Sequence, residues 1–114
     1  MYIDIEYLRE QCDGQAQMMA LLLNTFQQTG PEYIKRMEDS LAAEDYPELR
    51  QASHAFLSSL RILGAKEIAA DIAKIEDYCM NVTNLDELPE LVPATIEKAK
   101  IAMEEAIVAQ SELE

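Results

Sequence analysis

Apolar residues recur at three- and four-residue intervals along almost the whole chain, and nowhere do they alternate with polar ones over the length of a strand. That period predicts helices and no sheet. A short first helix is expected from Asp4 to about Gln11, with Tyr2, Ile3, Ile5, Tyr7 and Leu8 as its apolar residues, before Asp13-Gly14 breaks and recaps the chain. A second runs from about Gln15 to Gln28 with Met18, Met19, Leu22 and Phe26 turned inward, and Leu21 and Leu23 widening the stripe. Thr29-Gly30-Pro31 is expected to end it and to start a third helix, Pro31 to Ala43, which presents Ile34, Met37 and Leu41.

Asp45-Tyr46-Pro47 is the next boundary, with the cap at Asp45 or Tyr46 and proline in the first turn. The helix it opens, about seventeen residues long, should close at Gly64, a good left-handed C-terminal position. Another helix runs from Ala65 to about Asn81 through Ile68, Ile72, Ile75 and Cys79 or Tyr78. After a loop at Asn81 to Asn84, the last helix begins between Asp86 and Pro93 and reaches about Ser111. Its apolar side holds Leu91, Ile96, Ala99, Met103, Ala106 and Val108 or Ala109.

Connections of two to five residues make neighbouring helices pack antiparallel. The expected fold is therefore all-α, an antiparallel up-and-down four-helix bundle with one or two accessory N-terminal helices. One domain over residues 1–114 is expected, and a domain of this size buries roughly two-thirds of its unfolded surface without help from a metal or a disulfide. No heptad seam calls for a second copy, so a monomer is expected.

Charge narrows the partners. Twenty-two acidic against nine basic residues give a net charge of −13, which repels a nucleic-acid backbone or an anionic membrane. A protein partner with a neutral or basic docking patch is the remaining class, beside the plain role of acidity in solubility. No apolar stretch reaches a membrane-spanning length, and no basic-then-apolar leader opens the sequence. Cys12 and Cys79 fall in different helices without a CxxC pattern, as packing residues of a reduced, cytoplasmic chain would.

The only histidine, His54, lies in the helix that ends at Gly64. Leu49, Ala52, Phe56, Leu60 and Leu63 form that helix's apolar stripe, and His54 falls roughly 150° from its centre. Arg50 and Ser58 stand four residues to either side, and Arg61 seven residues on, all on the same face; Leu57 borders it. A lone histidine on a polar helix face is usually just a solvated side chain. Its neighbours give it more: imidazole, with an unperturbed pKa near 6.5, is a nucleophile at neutral pH, and arginines a turn or two away can hold an anion placed on the ring.

Other chemistry finds no residues. A carboxylate-bridged di-metal site wants two Glu-x-x-His pairs, whereas this chain has one histidine, and Gln51 three residues before it. One His and two scattered Cys make no zinc site. Ser58 is a helical neighbour of His54 with no strained nucleophile turn, and three glycines furnish no phosphate-cradling loop. No metal or cofactor of its own is expected, and the chain should not take phosphate from ATP unaided.

The stretch Ala52-Ser53-His54-Ala55-Phe56-Leu57-Ser58-Ser59, followed by Leu63-Gly64-Ala65, resembles the signature of histidine-containing phosphotransfer domains. The Leu22-x-x-x-Phe26 pattern before it and Ile75-Glu76 after it extend the resemblance over most of the chain. The resemblance implies a helical bundle with a phosphorylated histidine exposed in mid-helix, here His54. It implies a phosphocarrier rather than a free-standing enzyme, in a two-component phosphorelay. The group would come from the phospho-aspartate of a response-regulator receiver domain or hybrid sensor kinase, which supplies its own acidic pocket and Mg²⁺, and would pass to another receiver. Ser58, being small, would leave room for that partner.

One departure stands out. Where the family usually has lysine three residues after the histidine, this chain has Leu57. Either Arg61 or Arg50 substitutes for the missing cation, or an exposed Leu57 makes an apolar docking patch. The latter allows a second function: a bundle that docks receivers or kinases without carrying phosphate.

Overall fold

The computed structural model describes residues 1–113 and is helical throughout: α1 (Ile5–Gln11), α2 (Ala16–Ala42), α3 (Tyr46–Ile62), α4 (Lys66–Asn81), a 3₁₀ turn (Leu85–Glu87) and α5 (Leu88–Glu112). The molecule is elongated, about 43 × 20 × 20 Å. No described helix is long and apolar enough to cross a membrane.

Local chemistry sets several boundaries. At the head of α1 the Asp4 carboxylate accepts from the Tyr7 N–H (3.0 Å), and at the head of α3 Asp45 accepts from the Glu48 N–H (3.2 Å), with Pro47 in the first turn. Each cap satisfies an amide that the first helical turn leaves without a carbonyl. Between α3 and α4, Gly64 takes a left-handed φ of +67°, and a Cβ there would come within 2.8 Å of the Asp4 Cβ. Glycine is needed both for the turn and for this approach. The Asp4 N–H donates to the Leu63 carbonyl (2.8 Å), while the Tyr2 and Ile3 amides donate to Glu105 on α5. These bonds fasten the N-terminal segment across the end of the bundle.

The expected break at Thr29-Gly30-Pro31 is absent. Residues 16–42 form one continuous helix with Pro31 inside it. Proline in a helix interior costs about 3 kcal/mol, and the buried stripe Met19, Leu23, Phe26, Gly30, Ile34 and Met37 runs unbroken across it. Burying a large apolar side chain is worth about 1.5–3 kcal/mol, so the continuous seam outweighs one lost backbone bond. Gly30 serves packing rather than turning, since a Cβ there would lie 2.7 Å from the Met103 Sδ of α5. The same register corrects Met18, which is exposed while Met19 fills the core position.

The core is continuous from Leu8 on α1 to Ala109 on α5. Phe56 of α3 stacks on Phe26 of α2, with ring centroids 6.1 Å apart, and lies 5.5 Å from the Tyr33 ring. On α5 the buried residues Ala99, Ala102, Ala106 and Ala109 let that helix approach closely. The buried hydroxyls of Ser40, Ser53 and Thr95 each donate to the carbonyl four residues back, so burial leaves them satisfied. Cys12 and Cys79 are buried and unpaired, and burial raises the Cys79 thiol pKa to about 11.

Candidate functional site

α3 is covered on two sides. The Arg36–Glu48 ion pair (2.6 Å) marks the flank that meets α2, and a contact between His54 and Glu76 marks the flank that meets α4. What remains is an outward strip carrying Arg50, Gln51, His54, Ser58 and Arg61, all exposed. The imidazole is 72% exposed.

His54 Nδ1 lies 2.9 Å from Glu76 Oε1, and the Glu76 side chain is only 18% exposed. A carboxylate only accepts, so the geometry assigns the Nδ1 proton to the ring and leaves the Nε2 lone pair free. Glu76 thus holds the ring in one tautomer and one orientation, and its negative charge stands behind any positive charge that develops on the imidazole. Such a carboxylate behind a nucleophile or base is a recurring device in proton and group transfer.

The strip divides into two hollows. Arg50, Gln51 and His54 line one. Arg61 lines another, with Tyr7, Gly64, Ala65, Lys66 and Ala69, at the corner where α3 turns into α4. The structure therefore brings Arg50 to His54 and sets Arg61 apart. Ser58 donates its hydroxyl back to the Ala55 carbonyl (3.3 Å) and presents only a small surface.

Leu57 is not on this surface. It is 3% exposed and belongs to the core, contrary to an exposed docking leucine. It follows His54 by three residues, which on a helix turns it back by about 60°, onto the flank covered by α4. A single-helix wheel shows Leu57 at the edge of the apolar arc, and the second neighbouring helix closes over that edge.

Periodicity and spacing do not place Glu76 in the site, and Ile75-Glu76 enters the sequence analysis only through the family resemblance. Its signal is positional: His54 precedes Gly64 by ten residues and Glu76 follows it by twelve, so a hairpin of two helices sets them level. Replacing Glu76 by alanine should release the ring, with the imidazole ¹⁵N shifts moving toward the Nε2–H tautomer preferred by free histidine. Glu76→Gln, which still offers an acceptor oxygen, should keep the wild-type tautomer. Unchanged shifts in Glu76→Ala would remove the positioning role.

Residues 21–110 match the family model described as the Hpt domain. The chain belongs to the Hpt domain family. The solved structures include a similar fold in histidine-containing phosphotransfer protein B (HptB) from Pseudomonas aeruginosa PAO1, with a TM-score of 0.74. The two share 22% sequence identity over 97% of this chain and 92% of that one, which makes the likeness one of fold. No curated protein matches the chain. Membership of the Hpt family carries a histidine phosphotransfer role in phosphorelay, and His54 is the only histidine on this Hpt bundle.

Proposed function

We propose that the chain is a phosphocarrier in which His54 Nε2 accepts a phosphoryl group from the phospho-aspartate of a receiver domain and returns it to another. The observation that carries this reading is the exposed ring held through Nδ1 by Glu76, which leaves Nε2 pointing away from its partner with its lone pair free. In the forward step the Nε2 lone pair forms the new bond to phosphorus, and the acyl P–O bond breaks with its electrons on the aspartate carboxylate. The Nδ1 proton stays on the ring. The positive charge spread over the phosphorylated imidazole is balanced by Glu76 and by the phosphoryl oxygens, and reversal of the same displacement gives the group up. Transfer of this kind depends on alignment and on stabilising the charge of the equatorial oxygens.

The receiver, or the receiver of a hybrid sensor kinase, brings the Mg²⁺ and the acidic pocket in this reading. The strip from Arg50 to Arg61 is the docking face, and its small residues Ala55 and Ser58 allow close approach. The antiparallel up-and-down bundle belongs to the same proposal, supported by cross-helix pairs whose numbers run in opposite directions: Gln27 bonds Gln110 and Gly30 meets Met103. Burial of Leu57 removes the apolar patch that favoured docking without phosphate, while the absence of the usual lysine stays common to both readings.

The test is incubation of the purified chain with a panel of phosphorylated receiver domains. Label on the wild type, labile in acid and stable in base, is the expected result. Receivers that bind yet transfer nothing would replace this reading with the docking one.

A further inference from the structure

Resting on the phosphocarrier reading, we propose that Arg50, with Gln51 beside it, grips the phosphoryl group on His54 Nε2, in the role that the Hpt pattern gives to a lysine at position 57. Three candidates stand near the histidine, and the structure separates them. Leu57 is buried and carries no charge. Arg61 lines the hollow at the α3–α4 corner with Tyr7 and Lys66, and its position lies seven residues on, about 10 Å along the helix axis. Arg50 shares a hollow with His54 itself.

Side chains lean toward the N-terminus of their helix, so a residue covers the turn before its own Cα. Arg50 and Arg61 lean by the same amount as the His54 ring, so the separation rests on axial distance, four residues against seven, and on the hollow that Arg50 and Gln51 share with the ring. With Nδ1 held by Glu76 on α4, Nε2 is left as the ring nitrogen for a phosphoryl group in that hollow.

Arg50 is also uncommitted. Arg9, Lys35, Arg36 and Lys98 are each paired with a carboxylate, whereas among the described residues no carboxylate pairs with Arg50, nor with Arg61, so this freedom makes Arg50 available without separating the two. On a chain of net charge −13, an exposed guanidinium without a carboxylate partner is available to an incoming anion. Its planar fork matches two phosphoryl oxygens at once, which a lysine ammonium does not. Since charge on those oxygens must be held in the transition state for both gain and loss of the group, Arg50 should act on transfer in both directions.

The experiment is rapid-quench transfer from a phosphorylated receiver at saturating concentration, with Arg50→Ala, Arg50→Lys and Arg61→Ala beside the wild type, and ³¹P spectra of each phosphorylated protein. Losing a charged hydrogen bond should lower the maximal transfer rate of Arg50→Ala about ten- to a hundred-fold, with Arg50→Lys between it and the wild type. The phosphohistidine ³¹P shift should move in Arg50→Ala, and the label should still sit on His54. A wild-type maximal rate in Arg50→Ala overturns the assignment, as does a change confined to receiver affinity. An equal or greater rate loss in Arg61→Ala overturns it too. A wild type that takes no label from any receiver takes down the phosphocarrier reading and this assignment with it.

Discussion

The His54→Gln protein should fold like the wild type and take up no phosphate from any receiver. Glutamine is a good helix former, and the side chain it replaces is 72% exposed. Substitutions at such positions usually change stability by less than about 0.5 kcal/mol. The glutamine amide can still donate toward Glu76, so the flank between α3 and α4 keeps its contact. What disappears is the nucleophile, because an amide nitrogen has its lone pair delocalised into the carbonyl and does not attack phosphorus. His54 is the chain's only histidine, which makes the result decisive: no second imidazole exists to take the group. Base-stable, acid-labile label on His54→Gln would therefore contradict the assignment outright. Label of another lability would point to a different acceptor.

How much of this could be read from the sequence follows from what a one-dimensional pattern encodes. The start of α1 at Asp4, the boundary of α3 at Asp45 or Tyr46, the stop at Gly64 and the polar face of His54 are local properties that the sequence carries, and the structure decides the second of them for Asp45. Pro31 marks a helix break in the sequence because its local cost is visible while the seam that outweighs it is not. Gly30 looked like a breaker, yet it answers Met103, seventy-three residues away on α5.

The burial of Leu57 escapes the sequence for a related reason. A wheel drawn for one helix knows one buried face, and α3 has two helical neighbours. Glu76 lay just beyond reach, since it joins the site only when α4 folds back along α3. Arg50 and Arg61 lie at similar angles from His54 on the wheel; their spacing of four against seven residues already differs in the sequence, and the hollow that Arg50 shares with the ring is added by the fold. The errors thus fall where a contact between distant segments decides the outcome, and the candidate nucleophile did not depend on such a contact.

Truncating Phe56 to alanine should be the most destabilising of the changes considered, by about 3–5 kcal/mol. The ring is 1% exposed and touches two others, Phe26 and Tyr33. Its removal forfeits the burial of the side chain, leaves a void and breaks aromatic contacts that are worth about 0.5–1.5 kcal/mol beyond area. Domains of this kind have about 5–15 kcal/mol of stability, so much of the margin is spent at one position. Urea denaturation should show a lower midpoint with little change in slope, as expected when the surface exposed on unfolding is nearly constant. Phe56→Leu, which refills most of the space, should lose less. Phe56 and His54 are two residues apart but about 160° apart around α3, so the molecules that remain folded keep the outward strip. Below the unfolding transition the Phe56→Ala protein should accept phosphate near the wild-type rate, the reverse of the behaviour expected for His54→Gln. Loss of transfer in Phe56→Ala while the protein is still folded would show instead that the packing beneath α3 sets the geometry of the strip above it.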